Sequence, residues 1–463
     1  MVLVPGVCGT ILSTRPKGEK GEGDRAWVSL YEADARYQKL WGTYNPKSGL
    51  MESFEGGEEV LVPTGGDASG LYSISILDPD VSYGLPVIHY FDTMIDYLTA
   101  QKGYTVGKDL FGFGYDFRQS NLTHAAALMQ RLRAVHAQTG QRVDVVSHSM
   151  GGLVVKGLLV DHPEEFGELV ANWVSIAAPF GGAPGFGTDA LLTGVQFAGS
   201  IGAYFFVDRG TFRQGCVQSP AVYELLPPLD FRYRGDQPSI KLWLSQELPP
   251  GIACAARAWR RVAVSPEAHA SAHRSNSEPG PGLVRALPDP VLSSPPLGWR
   301  EAHEYTFALD ALPELLRGVL EGNSVSVGGK PRPMPYNQAV AECARASQRL
   351  WRAAALPAGS KFFSVYGTGY DTPYSLQYGS WWFPVTDLPS LPHANAGFTY
   401  TDGDGTVPVE SALADGLEAT ERLGVKGLHR PLISMQSVWD QVLTWLGPDA
   451  GGEPWHMLVP SAA

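Results

Sequence analysis

Short apolar runs rich in β-branched residues alternate along the chain with longer segments of helical periodicity. The runs that predict buried strands lie at residues 2–4, 110–114, 143–147, 173–177 and 362–366. Continuous apolar strands separated by helix-length segments are typical of a parallel sheet with crossover helices. The pattern therefore predicts an α/β fold with a mostly parallel central sheet.

The segment 122–139 predicts one of the crossover helices. Its apolar residues, among them Leu128, Leu132 and Val135, recur at helical spacing, and Gly140 follows directly. A glycine just after the last periodic residue is a common helix end, and the next predicted strand begins three residues later. We therefore expect one strand–helix–strand step in this part of the chain.

The alternation weakens in the middle of the chain, which predicts three parts. Residues 1–190 form the N-terminal part of the core, residues 191–356 a partly helical cap or lid, and residues 357–463 the C-terminal part of the core. Within the cap, residues 247–300 are rich in Pro, Ser, Ala and Gly and have no sustained period, which predicts a flexible insertion.

Helical periodicity resumes after that insertion. Helices are predicted within 301–320 and 336–355, and a C-terminal helix within 432–446. Two uncharged stretches, 169–188 and 190–207, are long enough to be considered as membrane spans. Proline and glycine interrupt the first, and polar residues dilute the second, so we interpret them as a strand running into a loop and as a cap segment.

Composition narrows the class of protein. The chain has 463 residues with 35 basic and 47 acidic side chains, a net charge of -12, which gives no general attraction to phosphate backbones and argues against nucleic acid as a partner. Hydrophobic residues make up 44% and charged residues 18%, proportions that exclude a disordered chain.

The cysteines and the N-terminus bear on location. Four cysteines are scattered without a CxxC pair, which argues against a zinc site and a disulfide framework. The opening residues MVLVPGVCG have no basic segment before the apolar run, so no signal peptide is predicted. We expect a cytoplasmic or peripherally membrane-associated protein, the alternative being a leader missing from this N-terminus.

A candidate nucleophile lies at the end of the strand predicted at 143–147. Residues 142–159 read RVDVVSHSMGGLVVKGLL, a β-branched strand, a sharp turn at Ser149 and a helix. This is the context of the nucleophile elbow of α/β-hydrolases, in which small residues must flank the serine. Ser147 and Gly151 meet that need, with serine in place of the usual first glycine. The alternative is an ordinary turn with a helix-capping serine.

The acid and the base should follow the serine in chain order. Asp404 lies in the turn-forming sequence DGDGTVP and is the candidate acid, with Asp371 and Asp402 as competitors. His429 precedes the C-terminal helix and is the candidate base, whereas His456 lies in the tail and is the weaker choice.

Acyl transfer also requires two backbone donors for the oxyanion. The N–H of Met150, directly after the serine, is one candidate. Val7, in the turn after the first strand, is the other, although an ordinary turn explains the same residues. His148, next to the nucleophile, is interpreted as a packing or orienting residue.

Several long segments together resemble the lecithin:cholesterol acyltransferase family, most closely its plant and algal phospholipase A branch. The segments are LVPGVCGTIL, LFGFGYDFRQSN, VVSHSMGGLVVKGLL, WVSIAAPFGGAPG, FSVYGTGYDTPYS, DGDGTVPVESALADGLEA and GLHRPL. The resemblance implies an α/β-hydrolase fold with a cap. It places the nucleophile on Ser149, the acid on Asp404, the base on His429 and the oxyanion donors on Val7 and Met150, with no metal and no cofactor.

The same resemblance implies a function. The expected activity is that of a serine phospholipase A that cleaves acyl esters of glycerophospholipids through an acyl-enzyme on Ser149. The alternatives are an acyltransferase that passes the acyl group to a sterol or diacylglycerol, a soluble small-ester hydrolase, and an inactive lipid-binding module with the hydrolase fold.

The family's contact with membranes is expected, by analogy, in residues 31–50. Leu40, Trp41 and Tyr44 are the candidates for entering a bilayer interface, the alternative being that they are buried aromatic and apolar residues. The absence of cysteine from this segment agrees with a reducing compartment. Phospholipid and a transient membrane surface are therefore the expected partners.

Overall fold

A computed structural model of the chain describes residues 1–54, 58–81, 88–196, 207–264, 284–286 and 300–447. The strands, numbered in chain order, are β1 Val2–Val4, β2 Leu12–Pro16, β3 Asp24–Trp27, β4 Gly42–Asn45, β5 Leu50–Ser53, β6 Glu58–Leu61, β7 Phe111–Gly112, β8 Val143–His148, β9 Val170–Ile176, β10 Ser239–Leu244, β11 Ala258–Val264, β12 Val284–Ala286, β13 Arg300–Ala308, β14 Ser324–Val327, β15 Lys330–Pro333, β16 Lys361–Thr368, β17 Tyr370–Tyr378, β18 Ala396–Gly403 and β19 Glu421–Lys426.

The α-helices are α1 Ala33–Gln38, α2 Asp92–Lys102, α3 Ala125–Thr139, α4 Gly151–Asp161, α5 Pro163–Leu169, α6 Pro184–Leu192, α7 Arg209–Cys216, α8 Pro220–Glu224, α9 Pro250–Ala253, α10 Leu312–Val319, α11 Gln338–Trp351, α12 Val409–Ala412 and α13 Gln436–Leu446. Short 3-10 helices lie at Tyr72–Ile74, Pro79–Val81, Asn121–His124, Leu309–Ala311, Leu391–His393 and Pro431–Ser434. Among the described residues, no helix is long and apolar enough to cross a bilayer.

The central sheet has the strand order β19-β16-β9-β8-β1-β7, and every neighbouring pair is parallel. All five apolar runs form strands of this sheet, so the prediction of a parallel core is confirmed. The sequence missed β19, whose side chains alternate between half-buried and exposed. An edge strand of this kind lacks the continuous apolar run by which the others were found.

A second six-stranded sheet has the order β12-β11-β13-β10-β17-β18 and is mixed. Only β10 and β17 pair in parallel, while the other neighbours are antiparallel. Strands β10 to β13 of this sheet lie in residues 191–356, which were predicted as a cap. Strands β17 and β18 lie in residues 357–463, which were predicted as core. The domain boundaries themselves stay predictions.

The helix predicted over 301–320 is wrong in its first half. Residues up to Ala308 form β13, and α10 begins only at Leu312. The strand is paired on both sides, with β10 and with β11. These cross-strand partners override the local helical pattern, because strand pairing depends on residues distant in the chain.

The flexible insertion predicted over 247–300 is also partly wrong. Its first part contains α9 and β11, and β11 pairs in register with β13. Of the remainder, the structure describes β12 and Arg300, at the start of β13, and the other residues lie outside the described part.

The other helical predictions are confirmed. The crossover helix is a 3-10 turn followed by α3, and Gly140 ends it in the left-handed conformation with a φ of 67°. Helix α11 lies within 336–355 and is capped by Asn337, whose side chain accepts the Ala339 N–H at 3.1 Å. The C-terminal helix is α13, preceded by a 3-10 turn.

The predicted bilayer contacts within 31–50 are wrong for this conformation. Leu40, Trp41 and Tyr44 are 0%, 7% and 8% exposed, so the three side chains do not reach the surface. The Trp41 indole donates to the carbonyl of Thr211 in α7 at 3.0 Å. An apolar aromatic segment has the same sequence pattern whether it faces lipid or another part of the chain, which explains the error.

Candidate active site

The turn at Ser149 joins the central sheet to the helix behind it. Strand β8 ends at His148, and Ser149 has a φ of 54°, a left-handed conformation that is uncommon for a residue other than glycine. Its N–H donates to the carbonyl of Ile176 in β9 at 2.8 Å, and α4 begins two residues later. Backbone strain of this kind is characteristic of the nucleophile elbow.

Small residues allow the elbow to pack against its neighbours. A Cβ on Gly151 would lie 2.5 Å from the carbonyl oxygen of Pro5, and a Cβ on Gly6 would lie 2.6 Å from the Cβ of Ser149. Ser147 stands in place of the usual glycine. Its hydroxyl accepts the indole N–H of Trp173 at 2.9 Å. The loop after β1 therefore lies directly against the serine.

The structure brings together three of the predicted site residues. His429 Nε2 lies 2.8 Å from Ser149 Oγ, and His429 Nδ1 lies 2.8 Å from Asp404 Oδ2. All three side chains are buried. A carboxylate only accepts, so Asp404 holds the imidazole proton on Nδ1 and leaves Nε2 free to take a proton from the serine.

The loop that carries Asp404 is fixed by further hydrogen bonds. Its Oδ1 accepts the N–H groups of Thr406 and Val407 at 2.9 and 2.7 Å. The backbone N–H of His429 donates to the Asp404 carbonyl at 2.8 Å, so the base and the acid are joined twice. The carboxylate cannot rotate without losing these bonds.

The competing residues do not enter this arrangement. The carboxylate of Asp402 accepts from the Gly369 N–H and the Thr368 hydroxyl, each at 2.6 Å, and Asp371 is exposed on β17. His456 lies outside the described residues. Of the acids considered, only Asp404 contacts a histidine near the serine.

Val7 and Met150 lie on either side of the serine, in the loop after β1 and at the start of α4. Within the described chain, neither backbone N–H has a hydrogen-bond acceptor. The Gly9 N–H donates to the Gly6 carbonyl at 3.1 Å, which closes a turn around Val7. Two unpaired amides next to a buried serine are what an oxyanion site requires, and their assignment stays a prediction.

Sequence reasoning missed a residue that contacts this site, Tyr90. Its hydroxyl lies 2.9 Å from the Gly6 nitrogen and 2.5 Å from Nδ1 of His148. Burial, with a smaller contribution from His429, lowers the pKa of His148 well below its usual value, so the ring is neutral. No motif surrounds Tyr90, so only the folded structure reveals it.

The described residues contain no group of three or more His, Cys, Asp or Glu side chains placed to hold a metal ion. The arrangement at Ser149 is instead that of covalent catalysis. It comprises a hydroxyl on a strained turn, an imidazole in contact with it and a carboxylate that orients the imidazole.

Comparisons with known proteins agree with this geometry. The family model described as lecithin:cholesterol acyltransferase matches residues 28–246. The chain is 36% identical to "Phospholipase A(1) LCAT3" of Arabidopsis thaliana, over 96% of this chain and 90% of that protein. It is 35% identical to "Lecithin-cholesterol acyltransferase-like 4" of the same plant, over 98% of this chain and 76% of that protein.

A solved structure supports the fold. "The crystal structure of Tle4-Tli4 complex" matches with a TM-score of 0.50 and 16% identity, over 96% of this chain and 97% of that chain. At this identity the likeness bears on the fold alone. Together with the parallel sheet and the elbow, it confirms the predicted α/β-hydrolase fold.

Proposed function

Because the chain belongs to the lecithin:cholesterol acyltransferase family, it is an enzyme of the lipid acyl hydrolase and acyltransferase type, and we propose that it is a serine phospholipase A. Its substrates are the fatty-acyl esters of glycerophospholipids. The observation that carries the proposal is the continuous buried chain of hydrogen bonds from Ser149 through His429 to Asp404.

The reaction begins with attack of Ser149 Oγ on the ester carbonyl carbon. His429 Nε2 takes the hydroxyl proton, and the Asp404 carboxylate stabilises the imidazolium that forms. When the tetrahedral intermediate collapses, His429 returns the proton to the leaving glycerol oxygen. Lysophospholipid departs, and the acyl group stays on Ser149 as an ester.

The amides of Val7 and Met150 stabilise the charge on the carbonyl oxygen. Loss of one such donor typically lowers kcat about 100- to 1000-fold. In the second half of the reaction, water loses a proton to His429 and attacks the acyl-enzyme, which releases fatty acid and restores the serine. No cofactor is required for either half.

An acyltransferase is the second candidate, favoured by the family description and by the name of one Arabidopsis relative. It shares every step up to the acyl-enzyme. The acceptor is then the hydroxyl of a sterol or diacylglycerol in place of water. An inactive lipid-binding module is less well supported, since the candidate acid, base and nucleophile are all in contact.

The proposal includes transient contact with a membrane surface, where the substrate resides, and a cytoplasmic or peripherally membrane-associated location. The residues 191–356 that we predicted as a cap are proposed to cover the acyl chain. Leu40, Trp41 and Tyr44 are not part of this proposal, because they are buried.

Product analysis tests the proposal. The protein is incubated with a phospholipid that carries two different acyl chains, with and without sterol or diacylglycerol, and Ser149→Ala is the control. We expect free fatty acid and lysophospholipid from the wild type and neither from the variant. Sterol ester or triacylglycerol as the main product would reject the hydrolase in favour of the transferase. Failure of wild-type Ser149 to react with a fluorophosphonate probe would favour the binding module.

A further inference from the structure

A second chain of hydrogen bonds lies behind the candidate catalytic residues and uses none of their reacting atoms. The Gly6 N–H donates to the Tyr90 hydroxyl oxygen at 2.9 Å, and that hydroxyl lies 2.5 Å from His148 Nδ1. On the other side of the ring, His148 Nε2 lies 3.1 Å from the carbonyl oxygen of His429. Tyr90 and His148 are both buried.

The direction of each hydrogen bond follows from the end groups. The His429 carbonyl can only accept, so His148 carries its proton on Nε2. The Gly6 N–H can only donate, so the Tyr90 oxygen accepts there and its own proton is left for His148 Nδ1. Each hydrogen bond in this series therefore has one donor and one acceptor when Tyr90 and His148 are both neutral.

This chain ties together three loops that are distant in sequence. Gly6 precedes Val7, the proposed oxyanion donor, and its contact with Tyr90 spans 84 residues. His148 precedes Ser149, and its contact with the His429 carbonyl spans 281 residues. The oxyanion loop, the nucleophile and the base are thus held in register through two side chains.

Arg430 covers the tyrosine from the outside. Its guanidinium lies over the Tyr90 ring, 5.2 Å from the ring centroid, and donates to the carbonyl of His89. This contact with an aromatic face stabilises the ring position and closes the network toward the surface. The residue after the base therefore helps to fix the tyrosine.

The neutral state of His148 also matters for the chemistry. Its ring centroid lies 4.9 Å from that of His429. In the proposed mechanism His429 becomes positively charged, and a second positive ring at this distance would oppose that step. A buried imidazole that donates to the base without itself becoming charged avoids the conflict.

We propose that Tyr90 and His148 are positioning residues of the acyl-transfer reaction, which hold the oxyanion loop and the backbone of the base in place around Ser149. The inference rests on the proposed function. It assigns to the two side chains an effect on kcat, because their hydrogen bonds hold the backbone around Ser149 and go to none of the reacting atoms.

Three variants test this inference with the full-length protein. Tyr90→Phe removes one oxygen and both of its hydrogen bonds. His148→Phe removes both bonds of the imidazole but keeps a ring, whereas His148→Gln retains an N–H near the position of Nε2. We expect Tyr90→Phe and His148→Phe to lower kcat on phospholipid about 10- to 100-fold with little change in KM, since small displacements of reacting groups have effects of this size. His148→Gln should recover most of the loss.

Tyr97→Phe is the matched control. Its side chain is also buried, and its hydroxyl donates to the carboxylate of Asp440 in α13, outside both the candidate site and residues 191–356. We expect it to keep kcat. The thermal unfolding midpoint of each variant separates lost activity from lost folding, and Tyr90→Phe decides alone if the His148 variants do not fold.

Normal kcat in Tyr90→Phe, or a His148→Phe variant as active as His148→Gln, would overturn the inference, because a residue that only packs should prefer the ring. Rates that fall only in proportion to lost folded protein would overturn it too. A wild type that neither reacts with a fluorophosphonate probe nor hydrolyses phospholipid would instead count against the proposed function.

Discussion

Loops after β1, β8 and β19 of the central sheet hold Val7, Ser149 and His429, whereas the second sheet contributes Asp404, just after the end of β18. In the parallel sheet the strands point in the same direction, so their carboxyl ends meet along one edge. In the second sheet most neighbouring strands are antiparallel, and only one end of β18 approaches that edge. The site is therefore built mainly by one sheet and completed by the other.

The largest effect is expected where the second sheet meets the first. Asp404→Asn keeps the size of the side chain but removes the charge and the preference for the Nδ1 tautomer of His429. By analogy with triads in general, kcat should fall about 10,000-fold. Initial rates of fatty-acid release measure the change.

Asp371→Asn is the control for that substitution, since Asp371 is exposed on β17 in the same sheet. It should leave kcat within about twofold, as expected for a change at an exposed side chain. Equal losses of kcat in the two variants would mean that the overall charge of the second sheet affects the reaction. Asp404 would then have no specific role.

Stability should distinguish the two sheets as well. Trp173 is fully buried in β9, with its ring centroid 4.7 Å from that of Phe362. Trp173→Ala should lower the free energy of unfolding by about 3 to 5 kcal/mol, the range for large-to-small changes in a core. Trp259, in β11, is 43% exposed, and Trp259→Ala should cost less than about 1 kcal/mol.

Urea denaturation of both variants measures the difference. If Trp259→Ala destabilised the protein as much as Trp173→Ala, β11 would have to be counted with the central core.

Two glycines, one in the loop after β1 and one in α9, differ in the space around them. A methyl group on Gly6 would lie 2.6 Å from the Cβ of Ser149, whereas a methyl group on Gly251, in α9, would meet no atom within 4 Å. Gly6→Ala must displace the loop after β1 or the serine, and we expect kcat to fall about 100-fold. Gly251→Ala should be indistinguishable from wild type in the same assay. Normal activity of Gly6→Ala would show that the contact between loop and nucleophile is dispensable.

The smallest expected effect concerns a lysine behind the central sheet. Lys156 in α4 donates to the carbonyl of Asp415 at 2.7 Å, and burial lowers the pKa of Lys156 to about 8. In the unfolded chain the pKa of lysine is about 10.4, so between these values the unfolded state binds more protons and stability rises with pH. From pH 8 to 10 the free energy of unfolding should rise by about 2 kcal/mol relative to Lys156→Met.

Lys241→Met is the comparison in the second sheet, where the lysine side chain is 44% exposed and paired with Glu304. Chemical denaturation at several pH values should give no comparable rise relative to that variant. If the difference in free energy of unfolding between wild type and Lys156→Met did not change with pH, the prediction that burial lowers the pKa of this lysine would be wrong.

The contrast between the sheets also explains what the sequence could predict. Each strand of the central sheet except β19 contains a short apolar run, and that signal is local. Strand β13 carries no such signal, because its conformation depends on partners that lie before and after it in the chain. The helical period over 301–320 was therefore a wrong guide to its first half.

The candidate site divides in the same way. Ser149 and Asp404 lie in recognisable turns, and chain order together with the C-terminal helix then points to His429. Tyr90 has no motif because its role comes from contacts with Gly6 and His148, 84 and 58 residues away. Chemistry carried by a local turn can be predicted, whereas chemistry carried by a distant side chain requires the fold.

Ser149 and His429 are 280 positions apart, which has a consequence for a chain that is still being made. The nucleophile leaves the ribosome early, but its base follows only after about 15 to 60 s at ordinary speeds of translation. Throughout that interval the candidate nucleophile lacks its base. Lipid cleavage through this site thus becomes available only when synthesis is nearly finished.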